Sequence, residues 1–205
     1  TSGHKDHYRV QLDLSLDYPV ARVMDALECR HLPPPSFVLS FCPCTDMAVS
    51  GAAHFKRKLE RDPHCQHKAV SAAMMAAELG CPFMIENPVS VLSTMWRKPD
   101  FSFHPHEYAA YCPKGPHPEF PEVIQEQDRY RKKTCIWMGN GAVEPVKDGL
   151  EPLSLQNPGH VKLGGKSART KYIRSLTPRG FAEAVFTWNV VPAMIYHSKN
   201  VERVA

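Results

Sequence analysis

Two short apolar runs, each ending in a proline break and polar residues, set the limits on what this chain folds into. The first is Phe37-Val38-Leu39-Ser40-Phe41, broken at Pro43 and followed by Cys44, Thr45 and Asp46. The second is Pro82-Phe83-Met84-Ile85, with Glu86-Asn87-Pro88 at its end. Short apolar runs bounded by turn residues predict buried strands. Between them, Ala69, Val70, Ala73, Met74, Ala76, Ala77 and Leu79 share one broad helical face within Gln66 to Leu79, and Gly80 is a helix stop. Strand, helix and strand in that order predict a βαβ unit with parallel neighbouring strands. Their carboxyl ends then share one edge, the place where open α/β sheets build sites. Cys44 stands at one end and Glu86 at the other. A cysteine there is a candidate nucleophile, because a thiolate is a strong nucleophile whose pKa responds to its surroundings.

The 205 residues suffice for a single α/β domain spanning 1–205 with a substantial core. A hydrophobic content of 43% and a charged content of 22% are ordinary for a globular protein. The net charge of +4 permits a nucleic-acid partner without arguing for one. Seven cysteines, an odd number, with no secretory pattern at the start, fit a reduced, cytoplasmic protein. No apolar run is long enough to cross a membrane.

Elsewhere, Tyr8 to Leu16 alternates as a strand, with Val10, Leu12, Leu14 and Leu16 on one face. Val20 to Leu27 is a short helix or strand, and Leu32-Pro33-Pro34-Pro35 an extended connector. Residues 93–122 form an irregular stretch rich in aromatics, His and Pro, the usual place for substrate contacts. Lys132 to Met138 reads as a third strand with a basic entrance, ended by Gly139-Asn140-Gly141, and Ala142 to Gly165 as loop. Thr177 as N-cap and Pro178 at the first helical position open a helix to Trp188. The basic run Lys56 to Arg61 reads as a solvated helix face, with phosphate contact as the alternative. Cys42, Cys44, His54, His64, Cys65 and His67 lack the spacing of a zinc framework, so no metal is expected. Gly159 to Ser167 puts Gly164-Gly165 where a P-loop needs Gly-Lys, which excludes a nucleoside triphosphatase.

The ordered set Pro43-Cys44-Thr45, Ala48 to Ala52, Glu86-Asn87-Pro88, Trp96 to Asp100, Lys132 to Cys135 and Thr177 to Ala182 resembles the DNA cytosine-5 methyltransferases. It is most similar to a group of small phage and prophage proteins of that kind. The resemblance covers roughly residues 36 to 188. It implies a Rossmann-like methyltransferase sheet, lacking or truncated at the first strand and its Gly-rich loop, which belong upstream of Tyr8. It implies DNA as partner, S-adenosylmethionine as cofactor and a bacterial or phage-infected cell as setting. It makes Cys44 the nucleophile on the cytosine ring and Glu86 the carboxyl group that assists it. Asp13, Asp25 and Pro43 become the cofactor candidates. Asn87, Ser50, Trp96 and Arg97 become the substrate candidates. The target base must be flipped out or single-stranded. Two further readings go with this one: a catalytically degenerate homologue that binds nucleic acid or a host protein in phage counter-defence, and an enzyme acting on a free pyrimidine nucleotide.

Overall fold

A computed structural model describes residues 35–153, 163 and 167–192. The Tyr8 to Leu16 strand, the Val20 to Leu27 element, the Leu32 to Pro34 connector, Asp13 and Asp25 lie outside the described residues, as does most of Gly159 to Ser167. The chain is mixed α/β. Its strands are β1 (Val38–Phe41), β2 (Phe83–Pro88), β3 (Phe101–Phe103) and β4 (Thr134–Gly139), in one four-stranded sheet ordered β1-β2-β4-β3. The helices are α1 (Phe55–Arg61), α2 (Cys65–Glu78), α3 (Leu92–Met95), α4 (Ala168–Ser175) and α5 (Arg179–Val185). The chain falls into two compact units. One runs up to Asp100 and includes Ile136–Gly141; the other holds Phe101–Cys135 and the residues from Ala142.

The first unit is built on the parallel pair β1 and β2, as the two apolar runs predict. Val38 stands opposite Phe83, Leu39 opposite Met84, Ser40 opposite Ile85 and Phe41 opposite Glu86. Phe83, Met84, Ile85 and Asn87 are all buried, so β2 is covered on both faces, as interior parallel strands are. The connection runs through a 3-10 turn (Val49–His54), α1 and α2. Helix α2 turns Cys65, Val70, Ala73 and Ala76 inward and packs on both strands. Gly80, at φ +73°, ends it in the left-handed region that a side chain resists. At the far end of the unit Trp137 is fully buried, and its indole N–H donates to the Arg97 carbonyl at 2.7 Å.

The second unit packs around aromatics. Phe103 and Phe181 stack at 4.1 Å between centroids, and Tyr108 meets each edge-on at 5.2 and 5.3 Å. A second cluster holds Phe120, Ile124, Tyr130 and Ile173. The stretch 93–122, irregular on the sequence reading, contains part of α3, the strand β3 and a 3-10 turn (Pro105–Tyr111). Its aromatics Phe103 and Tyr108 are core rather than presented surface. Residues 142–153 carry no helix or strand, as expected of a loop. Helix α4, capped by the Ser167 hydroxyl accepting from the Thr170 N–H at 3.1 Å, lies where the sequence reading has no element.

Candidate functional site

The carboxyl edge of β1 and β2 is where the chemistry-bearing side chains of the first unit meet. Past Phe41 the chain turns at once. The Cys44 carbonyl accepts from the Met47 N–H at 3.0 Å and the Ala48 N–H at 2.8 Å, closing a tight turn that leaves Pro43, Cys44 and Thr45 exposed. The segment after this turn is tied to the segment after β2. Ala48 bridges Ser90 in antiparallel fashion, with Val49 donating to the Val89 carbonyl at 2.9 Å and Val91 to the Met47 carbonyl at 3.0 Å. The segments that follow Cys44 and Glu86 are therefore fixed to each other beyond the ladder itself.

Cys42 and Asn87 pin the strand ends together from inside. The Cys42 thiol donates to the Glu86 carbonyl at 3.8 Å. The fully buried Asn87 amide donates to the Cys42 sulfur at 3.0 Å and to its carbonyl at 3.4 Å. Burial pushes the Cys42 thiol up to about 12. Donation from Asn87 opposes this, and the neighbouring acidic groups Glu86 and Cys44 add to it, which places Cys42 within electrostatic reach of both. At ordinary pH this is a neutral packing thiol. Asn87 Oδ1 and the Ser90 hydroxyl are buried without a hydrogen-bond partner among the described residues. An unmet buried acceptor costs roughly 1–3 kcal/mol.

Lys58 of α1 grips the turn from the other side. Its ammonium pairs with Asp46 at 3.1 Å and donates to the Thr45 carbonyl. A basic run leaves no trace of which lysine turns inward, so the sequence reading missed both Lys58 and Asp46. The one available hint is that Lys58 falls next to Leu59 on the apolar side of the helix.

The remaining candidates separate. Ser50 is exposed in the 3-10 turn after the Cys44 turn. Asn87 sits at the edge but is turned inward onto Cys42. Arg97 is committed to the backbone frame: its guanidinium binds Asp100 at 2.7 Å and the Met138 carbonyl at 2.7 Å, and covers Trp96 at 4.8 Å. Trp96 is half-buried beneath it. Pro43 is exposed and has no N–H to offer a cofactor. Asp13 and Asp25, the other two cofactor candidates, lie outside the described residues. Among the described residues no three His, Cys, Asp or Glu side chains are grouped to hold a metal ion, and no helix is long and apolar enough to cross a membrane. Comparison with protein-family models, with curated proteins and with solved structures finds no match.

Proposed function

We propose that the β1–β2 edge acts on cytosine in DNA by thiol addition, the step on which cytosine-5 methyl transfer depends. The observation that carries this reading is the register: Phe41 stands opposite Glu86, so the exposed Cys44 turn rises beside the end of the strand bearing Glu86. A cytosine needs that pair. Its carbon 5 is a poor nucleophile until a thiolate bonds to carbon 6. As the Cys44 sulfur–carbon 6 bond forms, the ring's double-bond electrons move toward nitrogen 3 and carbon 5. Glu86, as a carboxylic acid, donates a hydrogen bond or its proton to nitrogen 3 and steadies the charge. The product is an enamine with a nucleophilic carbon 5.

The resemblance makes S-adenosylmethionine the methyl donor. In its absence the enamine takes a proton from water at carbon 5. Loss of the original proton and expulsion of the Cys44 thiolate then restore cytosine. The reading therefore predicts exchange of the carbon 5 hydrogen with solvent. The assay is tritium release from an oligodeoxynucleotide labelled at cytosine carbon 5, with no cofactor present. Cys44→Ala is expected to lower release by on the order of 10³-fold or more. Glu86→Gln is expected to lower it roughly 10²–10⁴-fold. A wild-type chain that binds the oligonucleotide without any release would overturn the proposal. It would favour the binding-only reading.

A further inference from the structure

Helix α1 has two sides with different work. On a 3.6-residue turn, Phe55, Leu59 and Lys58 fall on the side that is half-buried, and Lys56, Arg57, Glu60 and Arg61 on the side that is exposed. Lys58 points inward and binds Asp46 and Thr45, the two residues after Cys44. This contact fixes the position of the outward face: Lys56, Arg57 and Arg61 stand on the helix that holds the Cys44 turn. Among the described residues none of the three has a carboxylate within ion-pair distance. Three unneutralised cations on a rigid element seven residues long favour an extended, multiply charged partner over a single small anion. His54, immediately before the helix, is exposed as well. Glu60 is the lone carboxylate on that face.

We infer that the outward face of α1, through Lys56, Arg57 and Arg61, is a contact surface for the phosphate backbone of a nucleic acid whose base is presented to Cys44. The inference rests on the reading of Cys44 as a nucleophile on cytosine, and it adds which part of the chain holds the polymer. Phosphate contacts position a strand without reading its sequence, and each one releases a counterion. For a single strand the logarithm of affinity falls with the logarithm of salt by roughly 0.7 per phosphate neutralised.

The test is fluorescence anisotropy of a labelled single-stranded oligodeoxynucleotide over a sodium chloride series. The chains are wild type, a triple Lys56→Gln, Arg57→Gln, Arg61→Gln variant, and Glu60→Gln. The triple variant is expected to bind more weakly at low salt, with a slope less steep by about 2. Glu60→Gln, which removes the face's own carboxylate, is expected to bind more tightly than wild type. A triple variant that keeps its fold by circular dichroism and its full salt slope overturns the inference. So does a Glu60→Gln chain that binds no better than wild type. Carbon 5 exchange in the tritium-labelled oligodeoxynucleotide, measured at concentrations that saturate each chain, separates this result from the catalytic reading. Equal exchange by wild type and triple variant, beside a changed slope, supports both. A changed slope with no exchange by any chain supports the surface and overturns the catalysis.

Discussion

Cys42 and Cys44 flank the same proline, yet they occupy opposite environments. Cys42 is covered by Asn87 and the Glu86 backbone, residues more than forty positions away in the chain, while Cys44 faces solvent. Burial favours the neutral form of an acid, so the Cys42 thiol rises from the ordinary 9.0 to about 12. Between those values the unfolded chain releases this proton and the folded unit keeps it. The stability that comes from burying a neutral Cys42 is therefore complete below pH 9 and declines as pH rises toward 12. Alkylation with iodoacetamide at pH 8, mapped by peptide mass, is expected to modify Cys44 well before Cys42. Equal labelling of the two would contradict the environments described. The strand end and the Pro43 break pointed to Cys44 from the sequence, and the resemblance made it the nucleophile on cytosine. What separates the two thiols physically is a packing contact that no local pattern encodes. The same holds for Arg97, a substrate candidate on the sequence reading, whose partners Asp100 and Met138 show it bracing the backbone.

Helix α5 shows how an element's boundary is decided by a distant residue. Thr177 and Pro178 carry the local signature of an N-cap followed by a first-turn proline. The helix instead begins at Arg179, with Pro178 as its N-cap and no capping side chain beside it. Asp128 supplies the missing acceptor. Its carboxylate receives the Arg179 backbone N–H at 2.6 Å and the Arg179 guanidinium at 3.0 and 3.2 Å. Gln127 and Asp128 both adopt positive φ, 51° and 52°, to aim that carboxylate, a conformation that non-glycine residues resist. Gly180 then lets the helix lie against Tyr108, since a Cβ there would stand 2.2 Å from the Tyr108 carbonyl oxygen. Removing one partner of a buried pair strands the other charge, at a cost of about 3–5 kcal/mol. Asp128→Ala is expected to destabilise the second unit by that amount in urea denaturation followed by circular dichroism. A loss below about 1 kcal/mol, the range of a surface pair, would show that the carboxylate does not anchor the helix. By contrast β1, α2, β2 and β4 were legible, because each carries its period or apolar run and its stop signal within its own residues.

At the scale of the whole molecule, the βαβ arrangement was readable because it follows from element order alone. Two apolar runs and one helical face dictated parallel neighbours, and the observed register brings Phe41 and Glu86 opposite each other. The aromatic core of the second unit was not readable. The second unit is assembled from residues on both sides of β4, held by Phe103, Tyr108 and Phe181 and by Asp128 with Arg179. Long-range aromatic packing of that kind looks, in one dimension, like an irregular loop. The site combines a legible part, two strand ends, with an illegible one, the inward lysine and the buried Asn87 that hold the turn in place. The central claim is that Cys44 adds to a pyrimidine ring presented at the β1–β2 edge. Its most direct test is intact-mass analysis of the chain after incubation with an oligodeoxynucleotide carrying 2-pyrimidinone in place of cytosine. That ring lacks the amino group that feeds electrons inward, so a thiol adduct on it persists. The account predicts one covalent adduct, mapped to Cys44 and lost in Cys44→Ala. An unmodified chain, or an adduct that survives the substitution, would contradict it.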